Sequence, residues 1–446
     1  MGSKVEKVKK QFNKIFRKKF VKNVLTLAAG TTMAQIIIIL FAPIITRLYG
    51  PEAFGILGVF LSIIAIISPI AALTYPLAIV LPKEDKDAKQ LIKLSIYISL
   101  VTASLMSIVF LFMGDFFTNM LNSQSITPYL QLIPLVMVLS VTLEVTIQWL
   151  IRKKLFSIQA KAVVAQALIV NATKTGFGFI SPFATTLIWI STIGYALHNI
   201  LIIRGLKKYK VLKEPSRVSN STLKIGQVAK KYRDFPQYRS PQTFISAVSK
   251  NLPVIMLTTL FSPAAAGFYA IGQRVLKMPS TLIGKAISDV FFPRMSEAVN
   301  NKENVTRLLI MGTLSMGAIG IIPFGIIMIF GPQLFSVVFG EEWVQAGEYA
   351  RWMSLWLLFT FVTKPSRQTL PVLFAQKLSL IESIVSLMLR ITGLFVGSYL
   401  FNDDLLAIAL YSVAGSSTNI VLVILTIIKT KRLSNSFIKG TERYYS

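Results

Sequence analysis

Arg47-Leu48-Tyr49-Gly50-Pro51-Glu52-Ala53-Phe54-Gly55 returns in altered form as Leu260-Phe261-Ser262-Pro263-Ala264-Ala265-Ala266-Gly267, and both copies hold Pro-x-Ala-x-Gly between long apolar runs. Proline fixes the backbone where one helix has ended and the next begins, so each copy reads as a tight connection between two membrane helices. The copies lie 212 residues apart in a chain of 446. A second pair of marks keeps the same phase. Leu81-Pro82 closes the run after the first copy, 31 residues beyond Pro51, and Phe292-Pro293 closes the run after the second, 30 beyond Pro263. Two matches in register point to two related halves, an architecture common among membrane transport proteins.

Composition agrees. Hydrophobic residues make up 53% of the chain and charged residues 15%, and the mean hydropathy is +0.63. A water-soluble fold of this size would lack the polar surface to cover itself. The expected class is therefore an all-α polytopic membrane protein. The net charge of +28 would suit a nucleic-acid partner, but Lys and Arg cluster in the gaps between apolar runs, where basic residues set topology. No nucleic-acid partner is expected. Cysteine is absent, which excludes a disulfide framework, a thiol nucleophile and a thiolate metal site. No metal cluster, phosphate-binding Gly loop or nucleophile–base pair is recognisable, so neither a cofactor nor a catalytic residue is expected.

Spanning runs fall at about 23–48, 53–81, 90–113, 126–151, 156–180 and 182–204, then 241–261, 265–292, 305–331, 343–363, 369–400 and 404–428, the eleventh interrupted from Pro371 to Lys377. Each reaches the ~20 residues that a bilayer demands. Twelve transmembrane helices in two pseudo-repeated six-helix lobes follow. The organisation reads as a basic amphipathic segment at 1–22, an N-lobe at 23–204, a cytoplasmic linker at 205–239, a C-lobe at 240–429 and a cytoplasmic tail at 430–446. With the N-terminus inside, 40 of the 47 basic residues lie in cytoplasmic segments, so the positive-inside rule places both termini in the cytoplasm.

The remaining seven are Arg47, Lys174, Arg274, Lys277, Lys285, Arg351 and Arg390, all within or at the edge of helices. A cation at the centre of a membrane helix costs at least about 2.5–3.5 kcal/mol, so such residues usually face an aqueous cavity or a bundle interior. Lys174 and Arg351 lie near enough to helix ends to snorkel, whereas Arg390 sits mid-helix. On the eighth run, at about 100° per residue, Arg274, Lys277, Lys285 and Asp289 share an arc of about 120°. That face reads as lining a wet, cationic cavity; Lys285 and Asp289 also have the i,i+4 spacing of a simple solvated pair. A cationic cavity suits an anionic substrate, and Arg and Lys are the usual phosphate partners. The intramembrane acids Glu144, Asp289 and Glu382 are candidates either for ion coupling or for neutralising a nearby cation. His198 reads as polar packing. Tyr75, Trp149, Tyr269 and Trp352 fit sugar stacking or interface anchoring.

The first quoted stretch, with Tyr232-Arg233-Asp234-Phe235-Pro236, Ser262 to Tyr269, Gln273-Arg274-Val275-Leu276-Lys277-Met278-Pro279 and Phe291-Phe292-Pro293-Arg294, resembles the Wzx-type polysaccharide (O-antigen) repeat-unit flippases of the multidrug/oligosaccharidyl-lipid/polysaccharide exporter superfamily. The resemblance spans nearly the whole chain and is most specific over 262–294. It implies two six-helix lobes around a central cavity, in the bacterial cytoplasmic (inner) membrane. It also implies movement of undecaprenyl-diphosphate-linked oligosaccharide to the outer leaflet by alternating access, with Arg274 the cavity charge that carries over. A proton or sodium gradient is the candidate driving force, and other polysaccharide-assembly membrane proteins are candidate partners besides the membrane lipids. A multidrug or cation exporter of the same superfamily would place acids in the cavity, and a peptidoglycan-precursor lipid flippase would share the cationic cavity but carry additional helices. A membrane glycosyltransferase or ligase would need catalytic residues on a large outer loop, which the short outer connections here do not provide.

Overall fold

The computed structural model describes residues 26–120, 124–208, 224–373 and 375–439, without the side chains at 120, 278, 279, 281–290, 376 and 436–439. The expected amphipathic segment at 1–22 lies outside the described residues. Helix α1 runs Thr26–Leu48. It is followed by α2 (Pro51–Ala71), α3 (Asp85–Met120), α4 (Leu132–Arg152), α5 (Phe156–Gly178), α6 (Ala184–Lys208) and the short α7 (Ile225–Lys231). Then come α8 (Ser240–Leu260), α9 (Pro263–Asn300), α10 (Val305–Phe339), α11 (Val344–Val362), the short α12 (Lys364–Val372), α13 (Gln376–Tyr399) and α14 (Asp404–Lys439).

Both copies of the opening motif form the same connection. Gly50 is extended and Pro51 is the first residue of α2; Ser262 is extended, its Oγ accepts from the Ala265 N–H at 3.1 Å, and Pro263 begins α9. Proline suits that position because the first N–H of a helix has no partner within it. The buried Tyr49 donates its O–H to the Lys174 carbonyl at 2.9 Å, anchoring the first turn to α5.

The chain divides into two compact units, Met1–Leu252 and Pro253–Ser446. The division falls inside α8, at its internal proline, rather than in the polar linker. Part of the reason is that the linker's described end docks on the first unit. Leu73 and Thr74 are left-handed (φ 50° and 56°), a conformation that is strained for a β-branched residue. The Thr74 hydroxyl donates to the Phe235 carbonyl at 3.1 Å and the Tyr75 phenol to the Ala229 carbonyl at 3.2 Å. Arg152, at the end of α4, donates to Asp85 and to the carbonyls of Ile79 and Pro82, closing the 3-10 turn Tyr75–Val80.

Within the first unit α2 packs on α4 and α6, α3 on α4, and α5 on α6. Within the second, α9 and α10 pack on α11, α11 on α14, and α13 on α14. Matching α2, α3, α4, α5 and α6 with α9, α10, α11, α13 and α14 repeats the packing of α2 on α4, α3 on α4 and α5 on α6, but not that of α2 on α6. Nine of the described helices are long and apolar enough to cross a membrane; α5, α9 and α11, with 23, 38 and 19 residues, are not among them. Leu111, Phe112, Leu314, Ile321 and Ile322 point outward and are well exposed, which is the surface that lipid requires of a spanning bundle. The chain is thus an all-α polytopic membrane protein.

Several helix limits depart from the hydropathy runs. The second run, 53–81, is helical only to Ala71, because Leu73 and Thr74 turn the backbone left-handed; the Ala71 carbonyl is met by the Thr102 hydroxyl at 2.7 Å. Helices α9, α10 and α14 continue beyond their runs, α14 well into the segment read as a tail. The interruption in the eleventh run is real: α12 ends at Val372 and α13 starts at Gln376.

Candidate functional site

Helix α9 buries Tyr269, Gly272 and Leu276 against its neighbours, and this leaves Arg274 and Lys277 exposed one turn on. Lys277 is fixed from within its own helix: its Nζ donates to Gln273 Oε1 at 2.6 Å. Gln273 Nε2 in turn donates to the Tyr269 phenol at 2.7 Å. That phenol lies 3.3 Å from the phenol of Tyr411 on α14, the two rings meeting edge to face. Arg390 of α13 donates to the same Tyr411 oxygen through Nη2. A single row of hydrogen bonds therefore joins Lys277 to Arg390 across three helices.

Arg390 is also held by two aromatic faces. Its guanidinium carbon lies 4.0 Å from the Trp356 ring centroid and 4.1 Å from that of Tyr411. Cation–π attraction of this kind is worth about 2 kcal/mol once water is excluded. The backbone makes the geometry possible. Gly393-Leu394-Phe395-Val396-Gly397 places two glycines one turn apart on the face of α13 that meets α14, a spacing that lets membrane helices touch through their backbones. A methyl group at Gly397 would lie 2.3 Å from Ala407 Cα, and one at Gly415 would lie 2.6 Å from Trp356 Cδ1.

The other expected site residues are placed differently. Arg351 donates to Glu348 at 3.0 Å and to the Met328 carbonyl at 3.2 Å, so it ties α11 to α10. Arg47 is exposed at the end of α1, and Lys174 is half-buried on α5. Lys285 and Asp289 lie on α9 where side chains are outside the described residues. Glu382 is 9% exposed and is paired with Arg367 at 2.9 Å; Arg367 also reaches Asn419 at 3.4 Å. Glu144 is half-buried on α4 and makes no ion pair among the described residues. His198 is half-buried with Nε2 unpartnered. Tyr75, Trp149 and Tyr269 are all buried, so they pack rather than present a face to a sugar.

Sequence reasoning missed Gln273, Tyr411, Trp356 and Arg367. The first three are neutral, and neutral polar or aromatic residues carry no desolvation signal comparable with that of a charge. Arg367 was counted among the cytoplasmic basic residues. The available signal was the i,i+4 spacing of Tyr269, Gln273 and Lys277. Burial pushes the Lys364 ammonium below the ordinary lysine range, and its Nζ donates to the Ser280 carbonyl of α9.

Comparison with known proteins adds a family and a fold. Residues 44–348 match the sequence model of a family described as polysaccharide biosynthesis protein. The chain is 20% identical over 310 residues to the succinoglycan biosynthesis transport protein ExoT of Rhizobium meliloti (strain 1021), a match covering 68% of this chain and 59% of that relative's length. Among solved structures it resembles an inward-facing multidrug resistance MATE family transporter of the MOP superfamily, with TM-score 0.69 and 14% identity over 93% of this chain and 99% of that one. It also resembles the lipid II flippase MurJ in an inward closed conformation, with TM-score 0.65 and 12% identity over 93% of this chain and 91% of that one.

Proposed function

The chain belongs to the polysaccharide biosynthesis protein family and has the fold of MOP-superfamily exporters, and on that premise we propose that it is a flippase for undecaprenyl-diphosphate-linked oligosaccharide repeat units. The observation that carries this reading is the cationic row of the second unit, in which Lys277, exposed like Arg274 three residues before it on α9, is joined to Arg390 through Gln273, Tyr269 and Tyr411. A diphosphate offers several charged acceptor oxygens, and guanidinium and ammonium groups are the donors that suit it. Arg274 and Lys277 bind the head group, with Arg390 as the inner cation. The polyprenyl tail stays in lipid while alternating access exposes the head group first to the cytoplasm and then outside. The membrane is the bacterial inner membrane, with both termini cytoplasmic. An ion gradient drives the cycle. Glu144 is the coupling candidate, since Glu382 is already compensated by Arg367.

The test is transfer of a fluorescent undecaprenyl-diphosphate sugar across liposomes holding the purified protein, comparing wild type with Arg274→Ala, with and without imposed proton and sodium gradients. Transfer that falls at least tenfold in the variant supports the reading, and its gradient dependence identifies the coupling ion. Equal transfer by both proteins removes Arg274 from the site. Absence of transfer, together with gradient-driven efflux of a cationic dye, overturns the reading in favour of a drug exporter; transfer confined to a peptide-bearing undecaprenyl diphosphate would assign a peptidoglycan precursor.

A further inference from the structure

The row from Lys277 to Arg390 has a direction fixed by chemistry. An ammonium only donates, so Lys277 requires the oxygen of the Gln273 amide, and this turns the amide nitrogen toward the Tyr269 phenol. Arg390 also only donates, so the Tyr411 oxygen accepts from it. One hydrogen then lies between the two phenols. Whichever phenol supplies it, the other phenol's O–H has no acceptor among the described residues. Both rings are buried, Tyr269 at 0% and Tyr411 at 2% exposure, where an unplaced hydrogen is costly.

Withdrawing Lys277 resolves this. With the ammonium gone, the Gln273 amide can flip to present its oxygen to Tyr269. Tyr269 then donates to Gln273, Tyr411 donates to Tyr269, and Arg390 still donates to Tyr411, so every phenolic hydrogen is placed. A phenol that donates is also a better acceptor, because hydrogen bonds in a chain polarise one another. We propose that Gln273, Tyr269 and Tyr411 form a polarity switch: an oxyanion that draws Lys277 off Gln273 reverses the row and tightens the hold of Tyr411 on Arg390. The three residues are positioning residues, since they act through the two cations. That the anion is a diphosphate head group rests on the function proposed above; the switch itself is a property of the unliganded protein. Binding at Lys277 and the clasp at Arg390 are reciprocally linked, as any such coupling must be.

The test needs no ligand. Lys277 is exposed, so its acylation by an amine reagent can be followed by mass spectrometry in the purified full chain, and labelling requires the ammonium to leave Gln273. Gln273→Leu removes this acceptor and should speed labelling about fivefold, the worth of one ordinary hydrogen bond. Tyr269→Phe has the opposite expectation. Without that phenol the departure of Lys277 places no further phenolic hydrogen, so Lys277 should leave less readily and label up to about fivefold more slowly. In the Gln273→Leu background, Tyr269→Phe should change nothing. A Tyr269→Phe protein that labels at the wild-type rate or faster overturns the switch, and so does an equal change in both backgrounds, which would mean a local packing defect. If the labelling pattern holds and liposome transfer fails, the switch stands and the assigned substrate falls.

Discussion

Gly397→Ala should damage the site from two turns away. The added methyl would lie 2.3 Å from Ala407 Cα, 2.4 Å from its Cβ and 2.6 Å from its N. These are mostly backbone atoms of α14 and cannot swing aside. Ordinary contact begins near 3.4 Å, so α13 and α14 must separate by about 1 Å, and overpacking of this kind costs about 1–3 kcal/mol. Arg390 lies seven residues before Gly397, on the same face of α13 within about 20°, so the separation is felt at its guanidinium. It would lengthen the bond to Tyr411 and lift the cation from rings now 4.0 and 4.1 Å away, which adds about 1–2 kcal/mol. At about 2–4 °C per kcal/mol for a unit of this size, the fall in unfolding temperature is on the order of 10 °C. Unfolding in detergent, followed by tryptophan fluorescence, measures it. Gly176→Ala is the control, because nothing lies within 4 Å of a methyl there and alanine is the better helix former. If the two variants unfold at the same temperature, close backbone contact of α13 with α14 is not what holds Arg390 in its cage.

Two further outcomes follow from ion pairs. Arg367→Ala leaves the buried Glu382 carboxylate without its partner, which should cost about 2–4 kcal/mol, toward the low side of that range because Arg367 is partly exposed. Adding Glu382→Gln should recover most of this loss in a detergent unfolding assay, and a double variant no more stable than the single would show that charge compensation is not what Arg367 supplies. The hydrogen bond from Arg294 holds the Glu303 carboxyl below the usual range against a smaller opposing push from desolvation. A lowered carboxyl range means that the pair stabilises at neutral pH and loses its effect as pH falls through that range. Both side chains are exposed, so Glu303→Gln should match wild-type stability in about 0.5 M salt, and the small acid-dependent step at low salt should vanish in the variant.

Most of the fold could be read from the chain because lipid forces it into the open. A helix that crosses hydrocarbon must be apolar over about 20 residues and must satisfy its own backbone, so run length and the Pro-led connections carry the architecture. Hydropathy stops being informative at the interface. Helices α9 and α14 simply continue there, and no loss of apolar residues warns that α2 ends at Ala71, since the cause is the left-handed backbone of Leu73 and Thr74. The cations of the site were visible for the same reason as the helices, because charge in a membrane helix is costly. Gln273, Tyr411 and Trp356 were hidden because each has an ordinary reading as packing; the structure sets the first two in the row and Trp356 against Arg390. Arg351 shows the converse: its charge stood out in the sequence, yet Glu348 and the Met328 carbonyl already occupy it.

The internal repeat shows where the chemistry was added. Tyr269, Gln273, Arg274 and Lys277 of α9 correspond, at the 212-residue offset, to Leu57, Leu61, Ser62 and Ala65 of α2. The two helices keep the same start and matching neighbours on the fourth helix of their units. The matched positions in α2 carry no charge, and Leu57 and Ser62 there are buried. Each cation costs about 2.5–3.5 kcal/mol at the centre of a membrane helix, and among the described residues the second half sets that cost beside the Gln–Tyr–Tyr row. On the proposed function, a cationic site built from one half would offer an anionic ligand a single place to bind rather than two related ones, and the two halves need not respond alike when it is occupied.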